Sequence, residues 1–395
     1  MTTSYREQLL AVLRGESVSS LPWAPRMDLW QISLQARGAL PARFAGMNTA
    51  GIADELGVAC HAVRADYTMK RDPADLLLRG LGLDNHPDYP FRVELHGLDV
   101  DLDVGPEHVR SVIHTAAGDV ETHLELTQAM QAEGISLPFV RRYPIESVAD
   151  FDAVAHVFDH CEVIPTPAAY HTFHERIGGR GLAVASGPIA ASPIHLVLHE
   201  LAAMDRFYYL FADSLDRLLE LSARLEPFYE ACLDAVVQCE AEVVFWGANY
   251  DRDLTWPPFF AAHIAPWLTH VAERLHDAGK LLLTHADGEN DHLMHFFAEC
   301  GVDVVESVCP APMTKLSLAE LRAGFGPQVT VWGGIPSVVL LSDSMHNDEF
   351  ERYLDRLFDD AAQRDRLILG VSDNVPPDAD LRRLARIGER VASQL

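Results

Sequence analysis

The residues best suited to chemistry lie in the segment T-H-A-D-G-E-N, residues 284–290. The run K-L-L-L-T before it has no polar/apolar alternation, which is typical of a strand covered on both faces. His285 and Asp287 are two residues apart, so in an extended chain both side chains point the same way. A histidine and a carboxylate at the end of a buried parallel strand are typical of α/β active sites. The alternative is that His285 caps a turn and Asp287 begins the next helix.

Polar side chains follow several other apolar segments in the same way. Asn249 and Asp251 follow A-E-V-V-F-W-G, Glu306 lies in V-D-V-V-E-S-V, and Asp373 follows R-L-I-L-G-V-S. Carboxylates gathered in one cavity repel one another unless a proton or a cation lies between them. We therefore predict a divalent metal, first of all zinc, with manganese and ferrous iron as alternatives. The predicted metal ligands are His285, Asp287, Glu306 and Asp373.

A metal-free acid/base pocket, in which one carboxylate holds a proton, is the alternative to the metal. In either case the predicted catalytic residues are His285, Asp287 and Asp251.

The predicted substrate-binding residues come from other parts of the chain. L-P-W-A-P-R-M-D-L-W, residues 21–30, is interpreted as a first strand that carries Arg26, Asp28 and Trp30. Arg26 can bind a substrate carboxylate through two hydrogen bonds, although a surface ion pair with Asp28 is equally compatible with the sequence. The other predicted substrate-binding residues are Asn249, His123 and Trp332.

The second half of the chain contains the elements that must position these side chains. Strand-like segments at 181–188, 241–251, 280–287, 302–309, 329–336 and 366–377 are each followed by a helical pattern. Six strand–helix units in a row require parallel strands with right-handed crossovers. With one or two strands from the first half, we predict an α/β fold, a single (β/α)8 TIM barrel spanning residues 1–395.

The first half is expected to add an N-terminal helix over 4–14 and a β-hairpin insertion over about 91–127. The insertion alternates polar and apolar residues around Gly118-Asp119, which is typical of an antiparallel hairpin. We expect it to form a lid or pocket wall, with His114 and His123 facing each other.

Composition excludes several classes of protein. The formal charge of −27 argues against nucleic-acid and anionic-lipid partners, because phosphates require a basic surface. No apolar run reaches the roughly 18–20 residues of a membrane helix, and the first residues lack a signal-peptide core. We therefore expect a cytoplasmic protein. The six cysteines form no Cys-x-x-Cys pair, so a structural zinc knot is not expected.

Other candidate features receive a structural interpretation. The helical histidine pairs His195/His199 and His292/His295 are expected on helix surfaces, and W-G-G-I-P at 332–336 is expected to form a tight loop that leaves room in the mouth of the barrel. Cys309 is the one cysteine set apart, because it follows a predicted strand.

The order of these features resembles the uroporphyrinogen decarboxylase superfamily, in particular its branch of cobalamin- and thiol-dependent methyltransferases. The opening Y-R-E-Q-L-L-A-V-L-R-G-E-S-V-S-S-L-P-W is similar to that family's first helix and strand. P-I-H-L-V-L-H-E-L-A-A-M-D resembles its central helix, and G-A-N-Y-D-R-D-L-T-W, T-H-A-D-G-E-N and L-I-L-G-V-S-D-N-V-P-P fall where it keeps active-site loops. The resemblance implies a barrel with its active site at the mouth.

The departures from the family pattern also carry information. The methyltransferases have His-x-Cys on the strand of His285 and another Cys on the last strand, which together hold zinc. Here Asp287 and either Ser372 or Asp373 stand at the Cys positions, and carboxylates make a bound metal less thiophilic. The decarboxylases carry Met-Arg-Gln-Ala-Gly-Arg early in the chain, whereas P-R-M-D-L-W-Q keeps only Arg26. Uroporphyrinogen is therefore not the expected substrate.

The function predicted from the sequence is metal-assisted methyl transfer on a small organic substrate. A corrinoid carried by a partner protein is the accompanying cofactor that the resemblance implies, and a homodimer is one assembly that the sequence allows. The alternatives are a decarboxylase or C–C lyase, with Arg26 on a carboxylate and His285 or a protonated Asp returning a proton, and an inactive member that only binds a corrinoid protein or ligand.

Overall fold

The structure, a computed structural model, describes residues 3–63, 73–362 and 364–393. Its strands are β1 Phe91–Leu95, β2 Asp99–Val104, β3 His108–Thr115, β4 Gly118–Glu125, β5 Phe139–Arg142, β6 Cys161–Pro165, β7 Ala185–Ser186, β8 Val243–Phe245, β9 Leu281–His285, β10 Val304–Val308, β11 Thr330–Pro336 and β12 Leu367–Ser372.

The α-helices are α1 Tyr5–Leu13, α2 Asp28–Ala36, α3 Thr49–Leu56, α4 Pro73–Arg79, α5 Gln128–Ala132, α6 Phe151–Asp159, α7 Pro167–Ile177, α8 Pro193–Leu196, α9 Met204–Asp213, α10 Leu215–Gln238, α11 Pro257–Phe259, α12 Ala265–Asp277, α13 Met294–Glu299, α14 Leu318–Phe325, α15 Asn347–Asp360 and α16 Leu381–Ala392. Across the described ranges, no helix has the length and apolar character needed to cross a membrane.

The second half of the chain forms a six-stranded parallel sheet in the order β12-β11-β10-β9-β8-β7. Each of these strands leads into helix before the next strand begins, so the predicted parallel α/β architecture is confirmed. Strands β9 and β10 pair with Glu306 opposite His285. This register places the two side chains side by side at the carboxyl end of the sheet.

Two short segments extend the hydrogen bonding beyond the sheet. At the β12 edge, Ala24 N–H donates to Leu369 O at 2.9 Å, and Ala59 N–H donates to Trp23 O at 3.0 Å. At the β7 edge, Val184 N–H donates to Ala62 O at 3.1 Å. Segments 22–24 and 59–62 therefore connect one edge of the sheet to the other.

The predicted first strand over 21–30 is wrong, because the segment forms only one isolated parallel bridge, at Trp23 opposite Leu369. Pro22 and Pro25 lack the N–H groups that a strand pairs, and α2 begins at Asp28. Asp28 stands in the first turn, where a carboxylate is favoured by the helix dipole. Trp30 consequently lies on the helix and not at a strand end.

The insertion is a larger sheet than the predicted hairpin. The four-stranded antiparallel sheet has the order β2-β3-β4-β5, with the expected turn between β3 and β4. β1 instead pairs with β6. His114 lies opposite Asp119, and His123 lies opposite Arg110, so the prediction that the two histidines face each other is wrong.

The region after β7 is also less regular than predicted. The helical pattern predicted after residue 188 is interrupted: α8 continues into a π-helical turn at Val197–Leu201, and the chain is extended at Ala202 before α9 begins. π-turns of this kind are frequent at functional sites. This one carries His199 and Glu200.

Gly333 and Gly334 lie inside β11 and not in the predicted loop. Both have positive φ angles, 144° and 90°. A Cβ on Gly333 would lie 2.6 Å from the backbone N and O of Val308. The glycine therefore allows β11 to approach β10 at the irregularity between Glu306 and Val308.

We expect Gly333→Ala to destabilise the protein strongly, because backbone atoms cannot move aside as side chains do. The expected loss in free energy of unfolding is roughly 2–4 kcal/mol, combining overpacking with left-handed strain. Gly38→Ala is the control, because Gly38 has φ of 63° with nothing within 4 Å and should lose only about 1 kcal/mol. Equal losses in urea unfolding would contradict this account of β11.

Candidate active site

The centre of the site is a hydrogen bond between two neighbouring strands. His285 Nδ1 lies 2.6 Å from Glu306 Oε2, and both residues are buried. Because β9 and β10 pair in this register, the contact follows from the sheet itself. A carboxylate on Nδ1 makes that nitrogen the protonated one and turns Nε2 toward the cavity.

The other oxygen of Glu306 is bound by a histidine that the sequence did not single out. His61 Nε2 lies 2.9 Å from Glu306 Oε1. The His61 ring packs edge-on against Trp332, with centroids 5.3 Å apart. The only available signal was that His61 follows the short apolar segment V-A-C, which is too brief to predict as a strand.

His285 Nε2 faces two carboxylates at nearly equal distance. Asp287 Oδ2 lies 3.6 Å away and Asp373 Oδ1 lies 3.7 Å away. Both distances exceed a hydrogen bond. The structure therefore brings all four predicted ligands into one cluster, with Glu306 behind the ring of His285 and the two aspartates in front of it.

The charges in this cluster reinforce one another. Burial alone would lower the pKa of His285, but the charges of Glu306 and Asp287 outweigh burial and raise it well above its ordinary value. Burial would raise the pKa of Glu306, and the His285 and His61 rings instead hold it far below its ordinary value. Burial would likewise raise the pKa of Asp287, yet His285 lowers it. The protonated, positively charged form of the His285 ring is thus strongly favoured.

Arg26 joins the first and last parts of the chain at this cluster. Its Nη1 donates to Asp373 Oδ1 at 2.9 Å, and its Nε and Nη2 contact the Asp28 carboxylate at 3.0 Å. Asn374 Nδ2 donates to Asp28 Oδ1 at 2.7 Å. Burial would raise the pKa of Asp28, but Arg26 and Asn374 hold it below its ordinary value. The ion pair with Asp28 that the sequence allowed is present, and it is buried.

Asn249 has an unusual backbone and a defined partner. Its φ of 58° is left-handed, which costs a non-glycine residue of the order of 1 kcal/mol. Its Nδ2 lies 2.5 Å from His199 Nε2. His199 Nδ1 lies 2.8 Å from Glu200 Oε1, and Arg79 binds the other oxygen of Glu200. The expectation of a helix-surface His199 is therefore wrong, because the residue is bonded to the predicted site.

A cavity of about 170 Å³ opens beside the cluster. Its polar wall is made by Arg26, Asn249, His285 and Asp373, and its apolar wall includes Leu137, Ile189 and Phe245. One face of this cavity can therefore hold polar atoms of a small molecule while the other excludes water.

Comparison with known proteins identifies the family. Residues 124–393 match the family described as Uroporphyrinogen decarboxylase (URO-D). The chain belongs to the uroporphyrinogen decarboxylase family. No curated protein sequence matches it.

A solved structure described as a methyltransferase from Methanosarcina mazei is similar to this URO-D family chain at 13% identity, covers 99% of each chain and has a TM-score of 0.54. At that identity the likeness supports the fold. A structure of D-psicose 3-epimerase in the presence of D-fructose has 11% identity, covers 62% of this chain and 82% of that chain, and has a TM-score of 0.30, too low to bear on the fold.

Asp251 in this URO-D family member binds backbone. Its Oδ1 accepts the N–H of Asp253 at 2.8 Å, and its Oδ2 accepts the N–H of Glu289 at 3.0 Å. The first bond lies within the loop after β8, and the second joins that loop to the loop after β9. Asp251 thus stabilises the conformation of these loops through its carboxylate, whereas the sequence predicted a catalytic role for it.

Four predicted substrate-binding residues do not line the cavity, and the first of them, Asp28, is instead paired with Arg26. Trp30 is 1% exposed and packs edge-on against Phe44, so its assignment is corrected: it belongs to the core. Trp332 is also buried and packs edge-on against the ring of His61. His123 lies on β4, where its Nε2 is 2.9 Å from Glu121.

The remaining cysteine and histidine candidates are structural. Burial raises the pKa of the Cys309 thiol to about 12, so the thiolate is disfavoured. Burial lowers the pKa of His195 well below its ordinary value, and its Nδ1 accepts the N–H of Ala191 at 3.1 Å. The expected surface position of His195 is therefore wrong. In the parts of the chain that the structure describes, no group of three or more His, Cys, Asp or Glu side chains is already arranged around a metal position.

We expect His285→Gln to destabilise the chelator-treated protein most at low pH. The raised folded pKa of His285 means that the protonated ring contributes stability fully below its unfolded pKa of about 6.5 and loses it as the pH rises through the folded value. Near pH 6 the loss should be about 3 kcal/mol, as for a broken buried pair. Urea unfolding from pH 6 to pH 9 measures the difference.

His292→Gln is the control for this pH series, since the His292 side chain is 69% exposed and should change the free energy of unfolding by less than about 0.5 kcal/mol. A His285→Gln loss that stays constant or grows toward pH 9 would show that the imidazolium–carboxylate pair is misassigned.

Proposed function

We propose that this protein is a metal-assisted methyltransferase that acts on a small organic substrate at the mouth of an eight-stranded barrel. The observation that carries the proposal is the position of His285 Nε2, which faces Asp287 and Asp373 at 3.6 and 3.7 Å with Glu306 behind it. Its family membership supports either methyl transfer or decarboxylation, and this geometry favours the first.

The barrel is supported by the hydrogen bonds at the two edges of the parallel sheet. If segments 22–24 and 59–62 count as two short strands, they complete a ring of eight with β7 to β12. Ala24, Ala59 and Trp332 belong to one buried cluster with Phe245, Leu283 and Val304, as expected for side chains that fill a barrel interior. The carboxyl ends of all eight then share one mouth.

The chemistry of the donor set supports a divalent cation, although among the described residues no three such side chains are arranged around one position. Two ligands of one tetrahedral zinc lie roughly 3.3–3.6 Å apart when each bond is about 2.0–2.2 Å long, close to the spacing of Nε2 from each aspartate. A histidine that ligates through one nitrogen usually donates its other N–H to a carboxylate, and Glu306 is that carboxylate. The proposed ligands are therefore His285, Asp287 and Asp373, with Glu306 as the residue that orients His285.

When bound, such a metal lowers the pKa of a nucleophile or polarises a substrate oxygen. The chain's own residues supply the rest. Asp28 and Asn374 fix the position of Arg26, His199 fixes the amide of Asn249, and the two polar groups orient the substrate. Leu137, Ile189 and Phe245 exclude water from the reacting atoms. A corrinoid on a partner protein is the proposed methyl donor, and the open mouth is where it would approach.

We expect the purified protein to bind about one Zn²⁺ per chain. The protein is first stripped with a chelator, the chelator is removed, and zinc binding is then measured by elemental mass spectrometry and calorimetry. His285→Ala and Asp287→Ala should each abolish that binding. Glu306→Gln should weaken zinc binding about 10–100-fold, because the carboxylate that orients the His285 ring is lost. Binding should also weaken as the pH falls, because a proton competes for Nε2.

His292→Ala serves as the matched control, since it removes an imidazole 69% exposed and should leave the stoichiometry unchanged. Stoichiometric zinc that survives both His285→Ala and Asp287→Ala would remove the ligand assignment. A Glu306→Gln effect as large as that of His285→Ala would make Glu306 a direct ligand.

Decarboxylation is the second candidate, and the raised pKa of His285 favours it. A buried imidazolium beside a cavity lined by Arg26 can return a proton to carbon after carbon dioxide leaves. In this reaction no metal is needed, and Arg26 would bind the substrate carboxylate that stays.

The two reactions respond differently to chelation. If decarboxylation is correct, carbon dioxide release from carboxylated candidates should persist in chelator and fall at least about 100-fold in His285→Gln, the size of a general-acid contribution. Methyl transfer should instead stop in chelator and return with Zn²⁺. Activity that needs neither His285 nor added metal would contradict both candidates.

A further inference from the structure

We infer that the substrate of the proposed site is elongated, with a polar reacting end beside His285 and Asn249 and a small uncharged branched-alkyl end in a second cavity behind Ile189. The inference rests on the proposed function for the identity of the reacting end. The second cavity itself is a feature of the fold that the proposed function does not use.

The second cavity has an apolar wall built by distant parts of the chain. Leu83, Phe91 and Val93 come from the region before the four-stranded sheet, and Leu196, Phe228 and Cys232 come from α8 and α10. Its volume is about 50 Å³, which exceeds the roughly 10–15 Å³ that one water needs but is only about a third of the roughly 150 Å³ that holds benzene. The cavity therefore fits a small branched-alkyl group and is too small for an aromatic ring. A space of this size, lined by buried aliphatic and aromatic side chains, is more than a packing defect.

The polar groups around this cavity are already paired with protein. Arg79 binds Glu200, Tyr89 donates to Asp84 at 3.0 Å, and Tyr229 donates to the carbonyl of Ala190 at 3.2 Å. Burial would raise the pKa of Glu200, but Arg79 and His199 hold it at about 2, so the Arg79–Glu200 pair is neutral as a unit. A charged or strongly polar ligand group would have to break one of these pairs. An apolar group breaks none.

Two observations connect the second cavity to the one beside His285. Leu137 and Ile189 line both cavities. The chain of bonds from Arg79 through Glu200 and His199 to Asn249 begins at the second cavity and ends at the first. A ligand that passes Ile189 can therefore fill both spaces, and Glu200 becomes a positioning residue for the Asn249 amide.

The inference is tested by binding, without turnover. We would titrate the purified full-length protein with 2-fluoropropane and with fluoroalkanols that carry the same branched end on chains of one to four carbons, and follow their ¹⁹F signals. 2-Fluoropropane should bind saturably, and affinity should rise by about tenfold at the chain length whose hydroxyl reaches Asn249, the effect of one hydrogen bond. Asn249→Ala should remove that rise and leave 2-fluoropropane binding unchanged.

Val93→Phe is the filling variant, because the larger side chain occupies the cavity from β1, and it should lower the affinity for 2-fluoropropane at least about tenfold. Leu95→Phe is the matched control on the same strand, outside the cavity wall, and should bind like wild type. Cys232→Leu fills the cavity from α10 and serves if Val93→Phe fails to fold.

Saturable binding that survives both filling variants would overturn the inference, as would the absence of saturable binding to wild type. Zinc stoichiometry, measured on the same samples, separates this result from the proposed function. Absent zinc binding with intact 2-fluoropropane binding contradicts only the metal-assisted reaction, whereas intact zinc binding without 2-fluoropropane binding contradicts only the inference about the second cavity.

Discussion

One carboxylate, that of Glu306, organises the candidate site by bridging two imidazoles. It contacts His285 at 2.6 Å and His61 at 2.9 Å, and it is 2% exposed. A charge buried this deeply is tolerated only when hydrogen-bonded partners offset its desolvation. Both histidine rings are therefore held in fixed orientations, and the free face of His285 is turned toward the cavity. The pairing of β9 with β10 makes this arrangement possible.

A second constraint is the excess of negative charge around that bridge. Among the described residues, Arg26 pairs with Asp28 and Asp373, while His285 lies beside Asp287, Glu306 and Asp373. Such a cluster persists only with a proton or a cation near His285. Both proposed reactions rest on this requirement, since a bound metal would support group transfer and a proton on His285 would support decarboxylation. Knowing whether a metal or a proton occupies His285 Nε2 would therefore decide between the two proposed reactions.

Much of the fold could be predicted because its signals are local. The six apolar segments and the helices after them are visible as runs and periodicities within about 20–30 residues. The polar residues at the ends of these segments could therefore be recognised from the sequence. The errors occurred where local signals compete. Two prolines shortened the first strand and left Trp30 on a helix, and a π-turn placed His199 next to Asn249. Gly333 was assigned to a loop because nothing in the sequence reveals the nearby backbone of Val308.

The sequence by itself determined the parallel α/β class, the strand ends that carry His285, Asp287, Glu306 and Asp373, and the family resemblance. Only the tertiary structure decided that Glu306 is shared with His61 and that Asp373 is bound to Arg26. These partners are separated by 245 and 347 residues along the chain, so no periodicity or spacing can pair them. Their meeting depends on which strands become neighbours, and that is set by the packing of the whole core.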